Sequence, residues 1–459
     1  MEEEGLEGVA AEVDALVGDL DQERARSIAG VELEPSLARL FAARSRAAHR
    51  ATAKALREAG QEPLARRVAA LRAERAAAER EERWRSAEAR ASASGPDGKA
   101  PLAALEVRLT REPDRERRLS LGRAAAEALG EAAAEREAML EARARAAAEV
   151  GSGPDWQAVV EGDELLARSD DAYREVLGHH ARRDQALSPA SAGDLARADL
   201  LHLLSLAAWD GLLHRRGLGA AVRATASALR LDLDRVKVDE GERPAQWPGV
   251  HATGPRLSFR PRGGAGDWQD LLGGLGQALA AAHVPPHRRD PVQGVALGWL
   301  LGSLLREPRW LMEQAGVERR HLPDLRRELA LRRLFALRAS AAAFRVACEV
   351  ERGLSGAAWR QAYREAMTGA LGAAWDGVRA ARDGDAALHA AALAGAGAGE
   401  RLREEVRERF DEDWWRNPRT AEFLAGVLAA GALPELPEGG GRAPSRAAAA
   451  LSGIMEGKG

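Results

Sequence analysis

A mainly α-helical fold is the first expectation the chain raises, and three observations raise it. The apolar fraction, 46% of residues, leans on Ala and Leu, strong helix formers, with few of the β-branched residues that favour strands. Aromatic side chains make up only 4%, little for a sheet-rich core. Apolar positions recur three and four apart with charges between them, as in LARRVAALRAERAAAEREERWRSAEA, which is the spacing of one helix face. Although 30% of residues are charged, the apolar content is enough to offset the entropy of ordering the chain, so a sizeable core is available. A length of 459 residues suits one large helical body or about two to three ordinary domains.

Residues 6–94 read as long packed helices, and no clean Leu or Ile heptad runs through them to suggest a coiled coil. The stretch SASGPDGKAP at 92–101 reads as a loop. A Pro-Asp turn at 113–114 then opens a helix or pair of helices reaching about 150. GSGPDW at 151–156 is a further break, and the helical run after it carries Asp170, Asp171 and Tyr173 before His179 and His180. Another break falls at Ser188-Pro189, and helical periodicity returns from 194 to about 229. Residues 231–264 are rich in Pro and Gly and contain the alternating piece RLSFR, which predicts a small β-element near 236–262. Helices resume at 267 and continue, with turns at Pro285-Pro286, Glu307-Pro308 and Leu322-Pro323, to about 433. The division expected is an N-terminal helical region over 1–150, a main helical region over 151–433 holding the β-element, and a flexible tail over 434–459.

A formal charge of −3, with acids and bases intermixed, gives no overall field to gather nucleic acid or an anionic membrane, and neither partner is expected. Only four of the 67 basic residues are lysines, a bias that carries no functional weight. The single cysteine, Cys348, excludes an intramolecular disulfide and a cysteine-based zinc cluster, and in the apolar run FRVACEV it reads as a buried thiol. The start, MEEEGLEGVAAEVDAL, lacks a basic n-region and a long apolar h-region, and no uncharged stretch has membrane-spanning length. A cytoplasmic location is the expectation.

The β-element followed by GDWQDLLGGLGQALAAAHV resembles the core of the thimet oligopeptidase and oligoendopeptidase F group of helical zinc peptidases. TREPDRERRLSLGRAAAEAL (110–129), RSDDAYREVLG (168–178), FRPRGG (259–264) and RERFDEDWWRNPRTAEFLAGVLAAG (407–431) extend the likeness over most of the chain. The resemblance implies a large metallopeptidase-like helical body, one mass or two lobes around a cleft. It also implies a strand beside the substrate, a helix bearing HExxH, and a later helix supplying a glutamate as third zinc ligand. The motif has a physical logic, since residues four apart share a helix face and let two imidazoles grip one Zn²⁺ while the glutamate activates water.

In this chain the place of the motif reads Gly273, Gly274, Leu275, Gly276, Gln277. Neither Gly273 nor Gln277 replaces an imidazole, and Gly274 has no carboxylate to act as general base. The third-ligand position falls at Gly294 or its neighbour Gln293, and Asp290 is one to two turns away. The group's C-terminal tyrosines, which stabilise an oxyanion, have no counterpart in DGDAALHAAALAGAGAG; the chain's only tyrosines are Tyr173 and Tyr363. A His/Glu cluster without its metal would leave buried polar groups unpaired at about 1–3 kcal/mol each, and small residues avoid that. Glycines in the same turn weaken the helix by about 0.8–1.0 kcal/mol each relative to Ala, so neighbouring structure must hold it.

Other candidates read as structural. His283 and His287 are separated by Pro285 and Pro286, which prevent the helix that would align them as a chelate. The adjacent His179 and His180 diverge on a helix. RGGAG and AGAGAG lack the context of a phosphate loop, and Trp414-Trp415 read as core anchors. Arg260 and Arg262, beside an expected edge strand, are the candidates for lining a cleft, where guanidinium forks would suit a peptide carboxylate.

The leading functional reading is thus a catalytically inactive pseudopeptidase, with no metal and no cofactor, that binds a peptide or protein partner without cutting it. A hydrolase using other residues, marked by a cleft with converging histidines and carboxylates, and a purely structural helical scaffold stay open as alternatives.

Overall fold

Described residues of this computed structural model are 3–149, 156–184, 187, 194–431, 433 and 443–458. The first periodic stretch, read as long packed helices, becomes α1 (Glu3–Ile28), α2 (Leu37–Ala43), α3 (Arg50–Glu58) and α4 (Glu62–Arg90), of which α1 and α4 are long. The break after α1 is a turn at Gly30, with φ +65°, where a Cβ would lie 2.6 Å from the Gln246 backbone nitrogen. Only glycine lets this turn dock there.

The segment expected to be a loop is a hairpin, β1 (Ser92–Gly95) paired antiparallel with β2 (Gly98–Pro101). Composition alone suggested a loop. The Pro-Asp-Gly turn, with Gly98 at φ +97°, instead folds the chain back on itself. Next come α5 (Leu102–Arg111) and α6 (Arg115–Ala148), divided at the expected Pro-Asp turn, where the Asp114 carboxylate accepts from the Arg117 backbone nitrogen at 2.8 Å. The break expected at GSGPDW falls mostly, and that at Ser188-Pro189 wholly, outside the described residues.

The main region contains α7 (Trp156–Arg183), α8 (Arg197–Leu203) and α9 (Arg215–Ala228) before the sheet. Strands β3 (Lys237–Asp239), β4 (Gly249–Thr253) and β5 (Arg256–Arg260) form the expected β-element in the order β3-β5-β4, with β3 parallel and β4 antiparallel to β5. The piece RLSFR is therefore the middle strand, not the edge. Its Leu257 and Phe259 are buried, and strands on both sides satisfy its backbone.

After the sheet follow α10 (Gly266–His283), α11 (Pro291–Gly302), α12 (Pro308–Gln314), α13 (Leu322–Glu351), α14 (Gly356–Leu371), α15 (Ala380–Asp383), α16 (Ala386–Phe410) and α17 (Pro418–Ala430). Pro308 and Pro323, at two of the expected turns, sit in the first turn of α12 and α13, where a missing N–H costs nothing, while Pro285-Pro286 opens a short 3-10 turn (Pro286–Arg288) ahead of α11. Helix α13 runs through the largest core with Leu331, Leu334, Phe344 and Cys348 buried. A separate core joins α1 to α4 through Val13, Leu16, Phe41 and Val68.

The segment expected to be a flexible tail contains a twelve-residue helix, α18 (Pro444–Met455). Ala447, Ala448, Leu451 and Met455, spaced three and four apart, are buried in the largest core beside residues of α7, α13 and α16. An apolar face with a partner outweighed the Gly/Pro bias of its surroundings. No helix among the described residues is long and apolar enough to cross a membrane.

Candidate functional site

Helix α10 lies beneath the sheet, and its glycines decide how closely. A Cβ on Gly274 would stand 2.4 Å from Val250 Cγ1 and 3.1 Å from Leu257 Cδ2, so the sheet fills the space any side chain would need. At Gly276 a Cβ would meet the Leu297 carbonyl and the Gly298 nitrogen at 2.5 Å, and at Gly298 it would meet the Gly273 oxygen at 2.4 Å. The backbones of α10 and α11 are thus in contact. Helix α16 presses on the other side of α11, where a Cβ on Gly395 or Gly399 would lie 2.4 Å from Val295 or Trp299 Cβ. The AGAGAG stretch, which offered no tyrosine, is this packing surface.

Gly273, Gln277 and Gly294 come together at one corner of the α10–α11 pair. Gly273 has room for a side chain, its nearest neighbour being Gly298 oxygen at 3.7 Å, and a Cβ on Gly294 would meet Gln277 Cα at 3.8 Å. Gln277 is exposed, whereas Gln293 is buried and turns away, donating to the Val427 carbonyl of α17 at 3.0 Å. The Asp290 carboxylate caps α11 through the Val292 nitrogen at 2.9 Å. Among the described residues no three His, Cys, Asp or Glu side chains gather to hold a metal ion. The residues at this corner do not fit the zinc ion that an HExxH helix would carry.

The remaining expected site residues are engaged within the fold. Arg260 donates to the Gln246 and Pro244 carbonyls at 2.7 and 3.3 Å, and Arg262 pairs with Asp270 at 2.9 Å, where Arg332 also binds at 2.7 Å. Both arginines brace the sheet. His287 is held by Asp14 at 2.9 Å, and His283 Nδ1 faces the Leu279 carbonyl at 2.9 Å, so the two are not a pair. Tyr173 donates to the Leu371 carbonyl at 3.2 Å, Tyr363 donates to Asp383, and Trp414 and Trp415 are buried.

Three adjoining cavities run between the N-terminal helices and the body. One of about 370 Å³ is lined by Gln277 and Gly294 together with Asp21, Ala252, Arg289 and Leu388. A second, about 320 Å³, shares Arg143 and Asp385 with it and lies between α4, α6 and α13. The third, also about 320 Å³, shares Leu388 and is lined by Trp84, Arg136, Trp247 and His251. Leu388 is 64% exposed, an apolar side chain standing in the cleft.

Charges along this cleft are mostly compensated. Arg289 pairs with Asp21 and Arg143 with Asp385, each at 2.7 Å. Burial raises the Asp21 carboxyl, and Arg289 offsets only part of that. Asp385 is also pushed up by burial, but Arg143 and Arg136 outweigh it and hold the carboxyl down. His251 is driven down to about 4 by burial, with Arg382 adding to the effect, so it is neutral at physiological pH.

Sequence reasoning missed the cleft's outer wall on α4 and α6, because nothing local in an Ala/Arg-rich helix says which face meets a partner hundreds of residues away. A separate cavity of about 420 Å³ is lined by His180, His202, Asp184 and Glu328. Its His180–Glu328 and His202–Asp184 approaches are 3.6 and 3.7 Å, and His180 Nε2 already faces the Leu203 carbonyl at 3.4 Å.

No protein-family model and no curated protein matches the chain. Solved structures do. One, a protein assigned as oligoendopeptidase F, shares 14% identity over 98% of this chain and 82% of its own, with a TM-score of 0.54. A second protein so assigned, from Bacillus anthracis str. Ames, shares 11% identity over 88% of this chain and 79% of its own, with a TM-score of 0.55. A third, the structure named BsuCP, shares 10% identity over 98% of both chains, with a TM-score of 0.52. At such identities the likeness is one of fold: the chain has the mainly helical, peptidase-like body of the oligoendopeptidase F-like proteins.

Proposed function

We propose that this chain is a pseudopeptidase, a protein with a peptidase-like body that holds an extended peptide or a protein segment in its cleft without hydrolysing it. The observation that carries the reading is the corner formed by Gly273, Gln277 and Gly294, with Gly274 walled in by Val250 and Leu257. This corner corresponds to the zinc position expected from the resemblance, and it offers no imidazole, no base and no third ligand. Binding is supported by the cleft itself. Strand β4 is an edge strand that contributes Ala252 to one cavity and His251 to the next, an arrangement suited to an extended chain laid alongside.

The hydrolase alternative would draw on the cavity lined by His180 and His202. It is the weaker reading, because both nitrogens of His180 already face protein acceptors.

The test is elemental analysis of the untagged protein together with a cleavage assay on a mixed peptide library, with and without added zinc. Less than about a tenth of an equivalent of zinc and no cleavage is the expected result. Stoichiometric zinc with zinc-dependent cleavage would sink the proposal.

A further inference from the structure

Of the arginines around the third cavity, two are neutralised. Arg85 pairs with Glu81 at 2.8 Å, and Arg382 pairs with Glu88 at 2.6 Å while stacking 3.5 Å from the centre of the Trp247 ring. Arg136 differs. Its guanidinium stacks on Trp84 at 3.9 Å and gives Nε to the Ala381 carbonyl at 3.1 Å, but among the described residues no carboxylate lies within 4.0 Å of it. Among the described residues its Nη1 reaches only the Met139 sulfur, at 4.0 Å, and its Nη2 has no hydrogen-bond partner and is not sealed from solvent.

Trp247 supplies a second donor. Among the described residues its indole N–H makes no hydrogen bond and is likewise not sealed off, and its ring lines the same cavity. The carboxylates nearby are taken, Glu88 by Arg382 and Asp383 by the Tyr363 hydroxyl. Arg136 and Trp247 thus keep donors aimed at this cavity that no neighbour uses among the described residues, and apolar Leu102, Ile28 and Leu388 complete its walls.

From this arrangement we infer that the cavity is a carboxylate-recognising subsite, in which Arg136 and Trp247 bind an acidic group of the peptide held in the cleft. The inference rests on the peptide-binding reading above and adds to it the charge of the ligand. Burial has already brought the Arg136 guanidinium down to about 10, with Asp385, Glu81 and Glu88 offsetting part of that from beyond pairing distance, so it remains cationic at neutral pH, and a carboxylate brought beside it would give it the direct partner it lacks. The shared chemistry is the carboxylate, whether from a peptide's C-terminus or from an Asp or Glu side chain. Leu388, standing between this cavity and the next, provides an apolar contact for the adjoining residue.

The probes are three N-acetylated alanine-leucine pentapeptides: one with a free C-terminal carboxylate, its C-terminal amide, and the same amide with one internal glutamate. Each is titrated calorimetrically into the full-length protein and into its Arg136→Met and Arg136→Lys variants, whose folding is checked by circular dichroism. At least one carboxylate-bearing peptide is expected to bind tenfold or more tightly than the neutral amide, and which one identifies the source of the group. Arg136→Met should abolish the preference, and Arg136→Lys should keep part of it. Equal binding of all three peptides, or a preference that survives in Arg136→Met, overturns the subsite and leaves peptide binding standing. Binding of none overturns both.

Discussion

Two neighbouring turns of α16 meet α11 by opposite means. At Gly395 and Gly399 the contact is made by main chain, with Val295 and Trp299 seated where side chains would otherwise be. One residue further on, Glu400 reaches in with a side chain that is 1% exposed. It accepts from the Trp299 indole at 2.8 Å, from Arg306 at 2.6 Å and from Arg403 at 3.1 Å. Glu307 extends the cluster to Arg403 at 2.8 Å and Arg407 at 3.2 Å. The glycine seam fixes position by leaving atoms out, so it is vulnerable to addition. The ionic cluster fixes position by balancing charges, so it is vulnerable to removal.

The largest effect should come from unbalancing the cluster. Glu400→Ala leaves buried Arg306 without its carboxylate, a loss of about 3–5 kcal/mol, read from urea unfolding. A loss below about 1 kcal/mol would mean that water or Glu307 takes over. Acid should act on the same group. Burial raises the Glu400 carboxyl, but Arg306 and Arg403 outweigh that and hold it at about 2, below its ordinary 4.5. Because the folded-state value is the lower one, this stabilisation is whole above about pH 4.5 and is lost as the pH falls towards 2. The acid slope should shrink in Glu400→Ala; an unchanged slope would assign acid sensitivity to other carboxylates.

A smaller loss should follow from adding a methyl group to the seam. In Gly276→Ala the new Cβ meets main-chain atoms of Leu297 and Gly298 at 2.5 Å, and backbone cannot rotate away as a side-chain end can. Such overpacking costs about 1–3 kcal/mol, against a helix-propensity gain of about 0.8–1.0 kcal/mol. Net destabilisation in thermal melts is the expected outcome. A variant as stable as the wild type would show that the helices can part without cost.

The two regions were unequally legible from sequence. The glycines of α10 stood out because they occupy the place of a recognisable motif, and the β-element before them was visible in its Pro and Gly content. Their partners were not visible, since Gly395 and Gly399 reach α11 from about a hundred residues away and read locally as poor helix. The cluster was less legible still: Glu400, Arg403 and Glu307 lie in interleaved charge patterns like those of solvated faces, and only tertiary packing buries the two glutamates and half-buries Arg403. Arg260 and Arg262 were misplaced because strand order cannot be read from one strand. RLSFR alternates as an edge strand would, yet it lies between two others.

The finest division falls between adjacent glycines, and it sharpens the contrast into a single step along the chain. At Gly273 the nearest atom to an added Cβ is 3.7 Å away, an ordinary contact, whereas at Gly274 it is 2.4 Å from a β-branched side chain with few rotamers to escape into. Gly273→Ala should therefore stabilise the protein by up to about 0.8–1.0 kcal/mol through helix propensity alone. Gly274→Ala should destabilise it, because Val250 and Leu257 must shift with the sheet that carries them. Paired thermal melts of the two variants read the sign directly. Opposite signs would mean that the sheet rests on α10 at Gly274, leaving room only on the face towards Gln277 and Gly294. Equal signs would mean that α10 moves freely beneath the sheet, and the wall against a general base at 274 would then be a soft one.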